Sequence, residues 1–278
     1  MNFIIIGSQR TGSTMLCDYL NKQKDIKCHY EIFLDTGIKL SSIDSKKVTI
    51  NPDIIKNNFF IKQFSESKIT IEDLNLANDI IQNKINVKRL VDPILMIEAI
   101  KRHNSKKYLG CKIFYNQIHS LQNFSLIDYI KENNIKVIHL NRINKFLQEL
   151  SYQKRKQTNI VTLEQNDKHI NFKIVFDVGL YQDRSKLWNS LYEQYNLTFK
   201  QNNIDVLNIS YEDLYKQKTK TLQTIVTFIT KEANFTEIPE SSLLFKKMNI
   251  YSLQDQIENF SEVYNFLKND VHFLQALR

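Results

Sequence analysis

Apolar residues occur along the chain in two arrangements, which predict two kinds of element. Short stretches rich in apolar residues, unbroken over 3–6, are typical of buried strands, and they lie at 2–6, 26–30, 109–114, 135–140 and 205–209. Apolar residues three or four positions apart are typical of helices that bury one side, and they start near Gly12 and recur within 71–82, 92–102, 118–133, 146–150, 187–195, 222–229 and 257–267. Strands separated by helices predict an α/β fold, with helices on both faces of a central parallel sheet.

Two stretches depart from this alternation. Polar and apolar residues alternate over 159–176, which predicts a β-hairpin with its turn near Asn166. Residues 34–105 hold the helical patterns at 71–82 and 92–102, so we expect a helical insertion or cap there. Because no linker rich in proline, glycine or serine divides the 278 residues, we predict one domain over 1–278.

Composition and charge narrow the classes of partner. The formal net charge of +8 fits an anionic ligand such as a nucleotide, and it also fits a surface charged for solubility. No basic stripe with interleaved aromatic residues occurs, so nucleic acid is not expected as a partner. The three cysteines form no C-x-x-C pair, and no apolar run reaches the length of a signal peptide or a membrane span. We therefore expect a cytoplasmic protein with reduced thiols.

A glycine-bracketed loop follows the first strand, in the stretch FIIIGSQRTGST at 3–14. The spacing from Gly7 to Gly12 and Thr14 is that of a P-loop, in which backbone N–H groups and a helix N-terminus surround a phosphate. A P-loop NTPase needs lysine where this chain has Ser13, whereas Arg10 offers a cation from inside the loop. The pattern predicts a loop for a different anion, or a plain strand-to-helix turn.

The same loop resembles one in a known enzyme family. Arg10, Thr11, Gly12, Ser13 and Thr14 are similar to the loop that binds the 5′-phosphosulfate in sulfotransferases that use 3′-phosphoadenosine 5′-phosphosulfate (PAPS). The resemblance implies a P-loop-type three-layer fold, a PAPS cofactor and the product adenosine 3′,5′-bisphosphate. It also implies that Arg10 neutralises the phosphosulfate, while the other four residues supply N–H and hydroxyl donors.

A second anion site is predicted after the strand at 135–140. Arg142 stands at the strand end and Ser151 on the next helix, an order that resembles the 3′-phosphate motif of the same family. An arginine binds phosphate through two N–H groups, and a hydroxyl completes the site. Taken singly, Arg142 also fits a solvated loop charge and Ser151 a hydroxyl on a helix surface.

Looser resemblance covers most of the remaining chain except 34–105. The segment GCKIFYNQ at 110–117 is similar to a strand and its exit in bacterial carbohydrate sulfotransferases, including the trehalose-type enzymes. The segment YEDL at 211–214 and the segment that begins at Lys247 resemble further parts of the sulfotransferase family. This implies a carbohydrate or sugar-containing acceptor, a cap for that acceptor at 34–105 and a cofactor contact from Lys247. Lys112 would be a second cation near the sulfuryl group, or a lysine that extends from the strand end into solvent.

The resemblance also implies a general base. Glu31 follows the second strand in an E-I-F stretch that matches the family, and carboxyl ends of parallel strands share one crevice. Trehalose-type enzymes carry an acidic residue slightly earlier, near Cys28 and His29, so His29 is the alternative base. The six histidines show no metal-ligand spacing, and we expect a metal-independent transfer.

Two other functions remain open at this point. A P-loop kinase for nucleotides or small molecules would need Mg²⁺ and ATP, which the missing lysine disfavours. A non-catalytic module would bind a nucleotide or nucleic acid and leave the sulfate donor unconsumed.

Overall fold

A five-stranded parallel sheet forms the centre of the protein. Its strands are β1 (Phe3–Gly7), β2 (Ile26–Glu31), β3 (Tyr108–Phe114), β4 (Lys136–Asn141) and β6 (Val206–Ser210), in the order β2-β3-β1-β4-β6. Because β1 pairs in parallel with both β3 and β4, the loop after β1 lies at the middle of the sheet's carboxyl edge. Each predicted strand is present within one or two residues of its apolar run.

The computed structural model describes residues 1–31, 101, 105–120, 126–158, 163–164, 172–239, 242–243, 245–246 and 251–277. The insertion expected at 34–105, with its helices at 71–82 and 92–102, lies outside these residues except for Lys101 and Ser105.

The described helices flank the sheet or follow it toward the C-terminus. They are α1 (Ser13–Asn21), α2 (Tyr115–Ser120), α3 (Leu126–Glu132), α4 (Lys145–Thr158), α5 (Val178–Gln201), α6 (Tyr211–Lys216), α7 (Lys218–Thr230), α8 (Leu253–Gln256), α9 (Phe260–Leu267) and α10 (Val271–Leu277). None of the helices in the described ranges is long and apolar enough to cross a membrane.

Alternate residues of β1 enter two separate cores, because successive strand side chains point to opposite faces. Phe3 and Ile5 pack with residues of α1 and α7, whereas Ile4 and Ile6 pack with residues of α3 and α5. Burial of each of these side chains contributes about 1.5–3 kcal/mol. Helices therefore cover both faces, and the predicted three-layer α/β fold is confirmed.

A third core attaches the C-terminal helices to α4. Phe146 and Leu150 of α4 pack with Tyr181 of α5 and Phe273 of α10. The ring centroids of Phe146 and Phe273 are 5.0 Å apart, edge to face. This contact fixes the C-terminal segment beside the first turns of α4, which follow directly on β4.

Most of the hairpin predicted over 159–176, including its turn, lies outside the described residues. Within the described part of that stretch, β5 (Leu163–Glu164) pairs antiparallel with β7 (Phe245–Lys246), and Ile174 forms an isolated parallel bridge with Ile257. Alternation along a strand indicates that one face is buried, but it does not identify the partner strand. Both described segments pair with the C-terminal region.

His139 of β4 lies in a buried polar network on the α5 face of the sheet. Its Nδ1 is 2.8 Å from Asn196 Oδ1, and its Nε2 is 2.6 Å from the Tyr115 hydroxyl. An amide oxygen only accepts, so Nδ1 carries the proton and Nε2 accepts from Tyr115. Burial lowers the pKa of His139 to about 4, and the residue folds as neutral imidazole.

This network predicts a pH dependence of stability. Below about pH 6.5 the unfolded chain protonates His139, whereas the folded chain does not until about pH 4, so the free energy of unfolding falls as pH falls through this window. Between pH 7 and 4.5, the wild type should lose about 1–3 kcal/mol more than His139→Gln. Urea unfolding at several pH values measures how the free energy of unfolding of each protein depends on pH. The same pH dependence in both proteins would contradict a neutral, buried His139.

Candidate functional site

The loop between β1 and α1 curls through two residues of positive φ. Arg10 has φ 64° and Gly12 has φ 81°, and the Thr11 hydroxyl donates to the Ser8 carbonyl at 2.9 Å. Gly12 is the N-cap of α1, so the N–H groups of the first helical turn, from Ser13 onward, have no intrahelical acceptor. The loop has the backbone form that anion-binding turns use.

Two glycines let neighbouring elements approach this loop closely. A Cβ atom on Gly7 would lie 2.3 Å from the Leu140 carbonyl oxygen of β4. One on Gly12 would lie 2.5 Å from Cδ2 of Tyr211, the first residue of α6. Both positions exclude any larger residue, so the glycine spacing reflects close packing on both sides of the loop.

A lysine reaches the start of α1 from the neighbouring strand. Lys112 of β3 is 3% exposed, and its Nζ donates to the Thr14 hydroxyl at 2.8 Å. The same ammonium lies 5.2 Å from the ring centroid of Phe114. Of the two placements open for Lys112, the structure has the buried cation, beside the loop in which Ser13 replaces lysine.

The two predicted anion sites meet through Arg10. Its Nε donates to the Ser151 hydroxyl on α4 at 2.9 Å, and Arg142 Nη1 donates to the Arg10 carbonyl at 3.2 Å. Arg10 was expected over the loop, but its side chain extends to the second site. Three of the predicted residues from distant parts of the sequence therefore lie together.

The guanidinium of Arg142 is buried and incompletely paired. The side chain is 7% exposed, and its Cζ lies 4.4 Å from the ring centroid of Tyr211. Among the described residues, its Nε has no hydrogen-bond partner. Burial lowers the pKa of Arg142, while Tyr211 and Glu212 act in the opposite direction. An unpaired buried donor costs about 1–3 kcal/mol, which an anionic ligand would recover.

Gln148 of α4 is a site residue that the motifs did not identify. It is fully buried, and its Nε2 donates to the Ser8 hydroxyl at 2.7 Å and to the Gln9 carbonyl at 2.8 Å. It thereby ties α4 to the loop after β1. Its spacing of three residues from Ser151 places both on one helix face, and this spacing was the available signal.

Lys145, at the start of α4, is the second residue that the motifs missed. Its Nζ donates to Asn141 Oδ1 at 2.6 Å and to the Arg142 carbonyl at 2.5 Å. Burial lowers the pKa of Lys145 to about 8. Because the Lys145 ammonium bonds the Arg142 carbonyl in the β4–α4 connection, Lys145 helps to fix the backbone at Arg142. Sequence alone offered no signal, since lysine at a helix start is ordinary.

The predicted bases lie on β2. The backbone of Glu31 is opposite Lys112 of β3, after an irregularity that follows His29, while the Glu31 side chain and all of Lys247 lie outside the described residues. Burial lowers the pKa of His29 to about 4. This keeps the imidazole neutral near pH 7 and makes it a weak base.

A cleft of about 1070 Å³ opens beside Arg142. Its lining includes Arg142 and Tyr211 together with residues of α8 and α10 such as Gln256 and Ala276. The cleft is large enough for a nucleotide-sized ligand. It exists because the third core holds α10 against α4.

Comparison with known proteins identifies the family. The family model of the sulfotransferase family matches residues 2–234. The chain belongs to the sulfotransferase family. The sulfotransferase domain from the curacin biosynthetic pathway superposes with a TM-score of 0.50 at 13% identity, covering 86% of this chain and 75% of that chain. A sulfotransferase from Alicyclobacillus acidocaldarius gives a TM-score of 0.45 at 13% identity, covering 99% and 94%. No curated protein matches the chain.

Membership in the family confirms two of the expectations. The protein is a sulfotransferase enzyme, and its central parallel sheet with flanking helices is the fold that the curacin-pathway sulfotransferase shares.

The packing of Gly12 predicts a stability change in this sulfotransferase. Gly12→Ala places a Cβ 2.5 Å from Tyr211 and puts alanine at φ +81°, which should lower the free energy of unfolding by about 1–3 kcal/mol.

Gly179→Ala is the matched control, because its Cβ would meet only Asp177 Oδ1, at 3.3 Å. It should stay within about 1 kcal/mol of the wild type. Denaturant unfolding compares the two variants, and equal stabilities would refute the close packing described for Gly12.

Proposed function

We propose that this sulfotransferase transfers the sulfuryl group of PAPS to a hydroxyl of a carbohydrate or sugar-containing small molecule. The observation that carries the proposal is the buried Arg142 guanidinium, whose Nε has no partner in the described part of the chain, next to Arg10 and Ser151. A donor with phosphates at both ends of its nucleoside needs such a cationic site beside a phosphate loop.

The donor is proposed to lie across the carboxyl edge of the sheet. Arg142 and Ser151 bind the 3′-phosphate, because Ser151 accepts from Arg10 and retains its own proton to donate. The N–H groups of Thr11 to Thr14 bind the 5′-phosphosulfate, with the positive end of α1 behind them. The nucleoside occupies the cleft beside Arg142 and Tyr211.

The proposed reaction is an in-line displacement. The acceptor oxygen bonds to sulfur, the bond from sulfur to the bridging phosphate oxygen breaks, and adenosine 3′,5′-bisphosphate leaves. Lys112 stabilises the charge that develops on the leaving oxygen, since its buried ammonium already lies at Thr14. Glu31 takes the hydroxyl proton, and His29 is the alternative acceptor of that proton.

The acceptor and the remaining chain complete the proposal. A carbohydrate hydroxyl is favoured because the stretch QRTGST at 9–14 resembles that of the bacterial carbohydrate sulfotransferases. Residues 34–105 are proposed to form the acceptor cap of a single domain over 1–278, and Lys247 to contact the cofactor.

The proposed reaction predicts metal-independent turnover that requires an acceptor. The enzyme is incubated with PAPS and a panel of sugars, with and without EDTA, and release of adenosine 3′,5′-bisphosphate is followed. Release that depends on the sugar and persists in EDTA supports the proposal. Tight binding of the bisphosphate without turnover would favour a binding module, and Mg²⁺-dependent consumption of ATP would favour a kinase.

The proposed role of Lys112 predicts that its replacement slows the chemical step. Lys112→Met should lower kcat about 100- to 1000-fold, since it removes one preorganised cation from the leaving group. Lys107→Met is the matched control, because Lys107 is exposed and pairs with Glu232 at 2.7 Å, and its kcat should not change. Equal kcat values for both variants would remove Lys112 from the mechanism.

The same assay separates the two proposed bases. Glu31→Gln should lower turnover and leave bisphosphate binding nearly intact, whereas His29→Gln should retain most activity. Full activity in Glu31→Gln would show that the base is another group.

A further inference from the structure

Glu212 binds the backbone of residues 141–144, the connection between β4 and α4 that contains Arg142. It lies in the first turn of α6, and its two carboxylate oxygens accept from the backbone N–H of Ile143 at 2.9 Å and of Asn144 at 3.0 Å. These N–H groups immediately precede α4. A carboxylate that accepts two consecutive N–H groups fixes both the position and the direction of that backbone segment.

Asn144 and Lys145 also hold the 141–144 connection through hydrogen bonds of their own. Asn144 accepts from Leu147 N at 2.9 Å and so caps α4, while Lys145 holds the Arg142 carbonyl. Arg142 lies between these supports, with its side chain buried against Tyr211. If Glu212 released Ile143 and Asn144, the backbone on the C-terminal side of Arg142 would lose its fixed path.

The sign of the Glu212 charge argues against direct contact with the nucleotide. Glu212 lines the cleft beside Arg142, where a carboxylate repels a phosphate. Its oxygens are occupied by two backbone donors, and its charge compensates the neighbouring arginine. A carboxylate at this position would weaken anion binding if it only faced the cleft. Its place is explained if Glu212 instead supports the backbone next to Arg142.

We propose that Glu212 is a positioning residue that acts through Arg142, by holding the 141–144 connection so that the Arg142 guanidinium meets the 3′-phosphate. The inference rests on the proposed function, because it takes adenosine 3′,5′-bisphosphate as the ligand. It assigns to the second residue of the YEDL segment a role that the sequence motifs left open.

Asp213 provides the matched control for a merely structural role. It lies in the same helical turn and is exposed, and its carboxylate bonds Ser210 N at 3.1 Å and the Ser210 hydroxyl at 2.6 Å. Asp213→Asn therefore weakens the cap of α6 without a direct effect on Ile143 or Asn144.

The experiment is a calorimetric titration of the full chain with adenosine 3′,5′-bisphosphate. Glu212→Gln keeps one acceptor oxygen, so one of the two N–H groups loses its partner, and the Kd should rise about tenfold. Asp213→Asn should bind within about twofold of the wild type, since the Asp213 carboxylate bonds the cap residue Ser210 and not Ile143 or Asn144. In an Arg142→Ala background, Glu212→Gln should add less than about twofold, because both changes remove the same interaction.

Hydrogen exchange supplies a readout that does not depend on the ligand. In Glu212→Gln the amides of Ile143 and Asn144 should exchange faster than in the wild type, whereas in Asp213→Asn they should not. Glu212→Asp, with a shorter reach, serves as a second variant if Glu212→Gln does not fold.

The outcomes separate this inference from the proposed function. If the wild type does not bind the bisphosphate, the assignment of PAPS as donor is wrong, and the proposed role of Glu212 is wrong as well. If the wild type binds and Glu212→Gln binds equally well, the donor assignment stands and the positioning role is overturned. The positioning role is also overturned if Glu212→Gln weakens binding by the same factor with and without Arg142.

Discussion

The buried guanidinium of Arg142 is the constraint around which the site is arranged. Its side chain packs on Tyr211, its Nη1 binds the Arg10 carbonyl, and its Nε lacks a partner among the described residues. A buried cation is costly unless other groups compensate it. Here the compensation comes from the Tyr211 ring and the Glu212 carboxylate, and an anionic ligand would complete it.

Tyr211 links this cation to the loop after β1. Its ring faces Arg142 and also occupies the space that a side chain at position 12 would need. The P-loop and the β4–α4 connection are therefore held against one residue of α6. A displacement of either loop should shift the other, because closely packed side chains transmit small displacements.

A lysine from a neighbouring strand lies beside the loop that has no lysine of its own. Lys112 reaches Thr14 from β3, and the side chain of Arg10 extends from the loop to Ser151. In a P-loop NTPase one lysine within the loop supplies the positive charge. In this sulfotransferase Arg10 of the loop, Lys112 of β3 and Arg142 of the β4–α4 connection lie at the loop, an arrangement that suits a donor with anionic groups at two ends.

Much of this organisation was predictable from sequence, for reasons that differ between elements. The run at 3–6 and the spacing from Gly7 to Gly12 predicted β1 and the loop, because buried strands and glycine-dependent turns leave local signals. The placement of Arg142 and Ser151 in one site was predicted only through family resemblance, and the contact of Arg10 with Ser151 was not predicted. Lys145 and the Glu212 contact were missed, since side chains that support a backbone leave no local pattern, and Gln148 was missed although its spacing from Ser151 offered a signal. The pairing of β5 with β7 was missed because alternation does not name a partner.

The most direct test of the central claim is a crystal structure of the enzyme with adenosine 3′,5′-bisphosphate. The account predicts the 3′-phosphate within hydrogen-bond distance of Arg142 Nε and the Ser151 hydroxyl, and the 5′-phosphate on the N–H groups of Thr11 to Thr14. A nucleotide bound with its 3′-phosphate away from Arg142, or with no phosphate on that loop, would contradict the account.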